Sequence, residues 1–68
     1  MKVVELKKKM VDKGRDDFVN FLSEILGVGK PTASKKLNEE VAFTLDDVSK
    51  CKKTFDLTPD EVVNIFLT

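Results

Sequence analysis

The residues from Leu26 to Leu37, LGVGKPTASKKL, together with the following Asn38, hold the densest set of groups able to do chemistry in this chain. Lys30, Thr32, Ser34, Lys35 and Asn38 all donate hydrogen bonds, and such donors recognise phosphate oxygens and the edges of bases. To act together they must lie on one short helix held clear of the body of the protein. Gly27 and Gly29 offer backbone conformations barred to other residues, and Pro31 suits the first turn of a helix. Gly27, Val28 and Gly29 therefore read as a tight turn in a helix-turn-helix unit, whose second helix, about Lys30 to Leu37, has the character of one that enters a DNA major groove.

The elements that must position this helix are legible on either side of it. From Lys2 to Lys13, Val3, Leu6 and Met10 share one helical face with Val4 and Val11 beside it, and Gly14 is placed to stop the helix. Asp16 or Asp17 is expected to cap a second helix running through Leu26, where Phe18, Leu22 and Ile25 form a stripe widened by Val19 and Phe21. The third helix buries Ala33 and Leu37 and turns its polar side chains outward. A loop from Asn38 to Phe43 leads to Thr44, which caps a fourth helix with Asp47 as its reciprocal partner and Phe43 stapled against Val48. Leu45, Val48 and Phe55 are expected to face inward. Thr58, Pro59, Asp60 and Glu61 start a fifth helix that ends at about Leu67, with Leu57 stapled onto Val62. Val62, Val63, Ile65 and Phe66 supply more apolar surface than that helix needs on one side, so they serve either dimerisation or closure of the core. No strand pattern or repeat is present, and the reading is a single all-α domain of five helices over residues 1–68.

A helix-turn-helix requires a small residue where the two helices cross, a glycine conformation in the turn, an apolar plug, and a small apolar residue on the second helix. Ser23, Gly27, Val28 and Ala33 meet these demands at consistent spacings. At this level the stretch LSEILGVGKPTASKKLN, followed by FTLDDVSKCKKTFDLTPDEV, resembles the lambda-repressor-like helix-turn-helix domains of phage Cro and repressor proteins. The resemblance implies a compact five-helix domain in which helices two and three form the motif. It further implies a Cro-like repressor of a phage or prophage switch, bound as a weak homodimer to pseudo-palindromic double-stranded operator DNA in a bacterial cytoplasm.

Carried onto this sequence, the resemblance assigns DNA-facing positions to Gly29, Lys30 and Pro31 at the start of helix three and to Ser34, Lys35 and Asn38 farther along. Lys30 and Lys35 suit guanine or phosphate, Asn38 suits adenine, and Thr32, Asn20 and Arg15 suit phosphate. The chain departs from the family at three places. Glu39 and Glu40 stand where glycine is common after helix three, and the junction KGRDDF is longer than usual. Lys36 replaces a commonly apolar residue, and is expected to lay its stem along the core and free its ammonium to solvent or phosphate.

Twelve basic residues balance twelve acidic ones, which as a total is unusual for a nucleic-acid binder. The distribution is lopsided, because residues 1–36 carry a net charge of +4 and residues 37–68 a net charge of −4. The basic half contains the candidate reading helix. One cysteine and no histidine argue against a disulfide, a metal centre or a cofactor, and the adjacent carboxylates lie beside no nucleophile, so no enzyme or small-molecule substrate is expected. Cys51 is expected at the core edge. No apolar run exceeds four residues, too few for a membrane span or a signal peptide. Two other readings compete. A helix-hairpin-helix would use the same Gly-Val-Gly turn to bind a phosphate without reading sequence. A protein-interaction module would use the acidic half with Val63, Ile65 and Phe66.

Overall fold

Apolar residues spaced three and four apart close the chain into helices, each with one side committed to a shared interior. In the computed structural model, which describes residues 1–67 and leaves Thr68 outside, these are α1 (Val3–Asp12), α2 (Phe18–Leu26), α3 (Lys30–Leu37), α4 (Leu45–Phe55) and α5 (Pro59–Phe66). No strand occurs among the described residues.

The central element is α2, which packs against α1, α3 and α4. Leu22 and Leu26 are buried there, and the Phe21 ring meets Phe55 of α4 edge-on at 5.8 Å between centroids. Leu6 and Met10 of α1, Ala33 and Leu37 of α3, Cys51 of α4, Leu57 and Ile65 complete the interior. Cys51 is fully buried rather than at the edge, and its thiol is pushed up to about 12, first by burial and then by the nearby Asp47. Ile65 likewise belongs to the core and not to an exposed interaction surface.

Both expected capping boxes form. Thr44 accepts from the Asp47 amide and Asp47 accepts from the Thr44 amide, and Thr58 and Glu61 repeat the arrangement on α5. The ends of the chain are tied together by the Lys2 amide, which donates to the Ile65 carbonyl at 2.7 Å, and by the Lys9–Glu61 ion pair between α1 and α5. The start of α2 departs from expectation. Asp17 occupies the cap position but makes no side-chain cap, because both of its carboxylate oxygens accept from Arg15.

Two further expectations are corrected by the packing. Leu45 points away from the core at 90% exposure. The buried face of α4 is set by Asp47, Cys51 and Phe55, which recur every four residues, and two residues before Asp47 lies nearly the opposite side of the helix. Lys36 does not release its ammonium to solvent. Its side chain is buried, and Nζ donates to Asp47 Oδ2 at 2.5 Å and to the Ala42 carbonyl at 3.2 Å. The Phe43 ring lies 5.8 Å from the same nitrogen.

Burial pushes the Asp47 carboxyl up, but bonds from Lys36 and the Thr44 amide outweigh it, so the group titrates below the usual carboxylate range. Lys9 and the Thr58 amide likewise depress Glu61, and Arg15 depresses Asp17. The unfolded chain therefore takes up protons first as the pH drops, and the stability these groups contribute is present above about pH 4 and is lost as the pH falls through their lowered folded values. Melting temperatures measured from pH 7 to pH 2 are expected to fall below about pH 4, and Glu61→Gln, which removes one of these lowered carboxylates from a part-exposed pair, to show a shallower fall than the parent. Removing one partner of a buried ion pair costs about 3–5 kcal/mol, comparable to the whole margin of about 3–5 kcal/mol for a domain of this size. Urea denaturation is expected to find Asp47→Ala largely unfolded, whereas Lys36→Met combined with Asp47→Ser, which removes both charges and keeps a capping oxygen, stays folded.

Candidate nucleic-acid interface

The turn before α3 is built from Gly27 and Ser23. Gly27 ends α2 in the left-handed conformation, with φ +67°, as its place in the sequence requires. The Ser23 carbonyl accepts from the amides of Gly27 and Val28, and its hydroxyl donates back to the Val28 carbonyl at 2.5 Å. Ser23 is thus a clamp on the turn as well as the small residue expected there. From α4, the Lys50 ammonium donates to the Leu26 carbonyl at 3.2 Å, placing a cation at the negative end of α2. Gly29 departs from expectation, for its φ of −68° is open to any residue, and a Cβ there would meet only Pro31 Cδ, at 3.7 Å.

Ala33, Lys36 and Leu37 form the buried side of α3. At about 100° per residue, the opposite arc carries Ser34, Asn38, Pro31 and Lys35, with Lys30 and Thr32 on its flanks. All of these are exposed except Ser34, which is half-buried. Neither Lys30 nor Lys35 enters an ion pair among the described residues. No side chain caps the start of α3 at Gly29, and because Pro31 has no N–H the donors left there for an anion are the Lys30 and Thr32 amides. Among the described residues, no cluster of three or more cysteine or carboxylate side chains is placed to hold a metal ion.

The remaining expected site residues divide. Asn20 is exposed on α2 and lines a shallow depression of about 360 Å³ with Arg15, Ser23 and Lys30. Arg15 reaches the same depression but is already committed. Its guanidinium forms a two-bond fork to Asp17 at 2.8 and 2.7 Å, a third bond to Glu24 at 2.6 Å, and stacks 4.4 Å from the Phe21 ring centre. Those two carboxylates offset its charge, and hydrogen bonds to Asp17 and then Glu24 drive its pKa upward. Arg15 therefore organises the α1–α2 junction.

At the far end of α3 the chain leaves through a left-handed residue, Glu39, with φ +62°. The Glu39 amide bonds to the Lys36 carbonyl and the Glu40 amide to the Lys35 carbonyl, a helix exit that normally uses glycine. Glu39 is also 3.5 Å from the terminal amine of Met1. No family model, curated protein or solved structure matches the chain.

The backbone angles sort three substitutions. Gly27→Ala is expected to destabilise by about 1–2 kcal/mol, the cost of a left-handed L-residue, and Gly29→Ala to change stability by less than about 0.5 kcal/mol. Glu39→Gly relieves the same strain at the end of α3 and is expected to stabilise by up to about 1 kcal/mol, since the exposed contact it removes is worth little. Urea denaturation of the three variants checks the order.

Proposed function

We propose that this chain is a sequence-specific DNA-binding transcriptional regulator, a Cro-like repressor that lays α3 in the major groove of a pseudo-palindromic operator as a homodimer. The observation that carries the reading is the outward arc of α3. Ser34, Lys35 and Asn38 lie together on a helix whose other side is anchored, and both exposed lysines of that helix lack internal partners among the described residues. A polar arc with free donors on a rigid support is what base-edge recognition needs.

Within this reading Lys35 and Lys30 donate to guanine or to phosphate, Asn38 reaches adenine, and Thr32, Asn20 and the uncapped amides of α3 hold the backbone. Lys36 is withdrawn from contact with DNA by its buried pair with Asp47, whereas Arg15, part-exposed beside Asn20, meets phosphate by exchanging the exposed Glu24 for it. Because so few cations remain free on this face, the non-specific electrostatic component of binding is small, and affinity depends on matched base contacts.

The uncapped start of α3 also supports the rival helix-hairpin-helix reading, in which those amides grip one phosphate regardless of sequence. Selection of bound duplexes from a random pool separates the two. The repressor reading expects a recovered two-fold motif with half-sites one helical turn or a multiple apart, whereas unselected sequences support the rival. On the selected duplex, Lys35→Ala or Ser34→Ala is expected to cost about 1–3 kcal/mol of binding and to blur preference at one base pair. Equal losses on every sequence reassign that residue to phosphate, and affinity that does not respond to salt sets the DNA reading aside.

A further inference from the structure

Glu24 puts a carboxylate where a DNA-binding surface has least use for one. Four residues after Asn20 and so on the same side of α2, it is exposed and lines the depression of about 360 Å³ that Asn20, Arg15 and Lys30 also line. Those three are groups that the proposed function gives to the DNA. A phosphate entering among them meets an anion, and the like charges repel. The acid already has a partner, because its Oε2 accepts from Arg15 Nη2 at 2.6 Å.

The two carboxylates on Arg15 hold it in different ways. Asp17, at the cap position of α2, takes Nε and Nη2 in a fork at 2.8 and 2.7 Å, and the Phe21 ring lies 4.4 Å from the same guanidinium. Fork and ring together fix its position. Glu24 makes a single bond, and its side chain is 63% exposed against 38% for Asp17. An exposed pair of that kind is worth little, so Glu24 can leave while Asp17 stays. Its departure uncovers one donor of a guanidinium that is already in place.

We propose that Glu24 is a specificity-determining residue, a carboxylate that holds the place of a backbone phosphate on Arg15 and yields it only to a duplex docked in register. The inference rests on the DNA reading and deepens it. In the free protein two carboxylates on one guanidinium leave the group with a net negative charge, so a duplex lying in any other register gains nothing from Arg15 and is repelled by Glu24. In the matched complex the base contacts of α3 bring a phosphate within reach, and one acceptor replaces another at the cost of a weak exposed pair. Glu24 therefore lowers affinity for unrelated sequence more than for the matched one, and that difference is specificity.

Removing the charge alone tests it. Glu24→Gln keeps the shape of the side chain, and Glu5→Gln, which removes a part-exposed carboxylate of α1 outside the depression, controls for net charge. Circular dichroism melts confirm that each variant is folded, and each is titrated across a salt series with a duplex selected by the parent and with one of unrelated sequence. Glu24→Gln is expected to tighten the unrelated duplex at least about fivefold at low salt and the selected one less than about twofold, and to steepen the log-log salt slope on the unrelated duplex by about one unit. Added to Arg15→Gln, the same change is expected to lose most of its effect. A gain that survives Arg15→Gln, equal tightening of both duplexes, or a gain no larger than that of Glu5→Gln overturns the proposal and leaves the DNA reading standing. A parent that binds no duplex overturns the DNA reading and this proposal with it.

Discussion

The contact between Lys36 and Asp47 ties the far end of α3, a helix packed chiefly on α2, to the start of α4. Helix α3 is eight residues long and offers only Ala33 and Leu37 as buried apolar groups, too little to hold a helix by hydrophobic contact alone. The ammonium supplies the missing attachment, reaching the carboxylate that also closes the Thr44 capping box and the carbonyl of Ala42 in the preceding loop. One side chain thus ties α3 to the loop that leaves it and to the first turn of the helix that follows. An ion pair in this position adds little net stability over a well-packed apolar pair, but it is directional. It fixes the rotation of α3 about its own axis, and that rotation decides which residues face out.

The other end of α3 is fixed by different means. Ser23 binds the turn through both its carbonyl and its hydroxyl, Gly27 supplies the left-handed corner, and Lys50 reaches from α4 to the last carbonyl of α2. The turn and the exit of α3 therefore hang on α2 and α4, which also pack on each other. Between these attachments the outer arc of α3 has no structural duty. Its composition is free to serve recognition, which is why Ser34, Lys35 and Asn38 can stand where a core helix would carry leucine.

Where the sequence was transparent, a short-range rule acted alone. The bounds of α3, the capping boxes at Thr44 and Thr58, and the corner at Gly27 follow from neighbours within four residues, and the structure has them. Other features depend on distant partners or on a choice between helix faces. Leu45 looks like a core residue until Asp47, Cys51 and Phe55 set the inward side of α4, and Asp17 looks like a cap until Arg15 occupies its carboxylate. Lys36 carried a usable signal, because it falls on the same side as Ala33 and Leu37. A lysine there needs either an escape to solvent or a buried carboxylate, and the sequence alone did not say which Asp would come within reach.

The balance of twelve cations and twelve anions also changes meaning once the contacts are known. Arg15 is held by Asp17 and Glu24, Lys36 by Asp47, Lys9 by Glu61 and Lys50 by Asp46. Two of them, Lys9 and Lys36, are held by carboxylates of the second half, so the +4 of the first half overstates the field that an approaching phosphate would meet. What remains around α3 is a small number of lysines on flexible stems, with Glu39 and Glu40 nearby. A strongly basic face holds any duplex and gains rate at the expense of discrimination, whereas a nearly neutral one is held only where its donors meet the right edges. Lys35 and Lys36 illustrate the division at its smallest scale. They are adjacent in sequence and about 100° apart around the helix, so one is sealed into the structure while the other is left free in solvent.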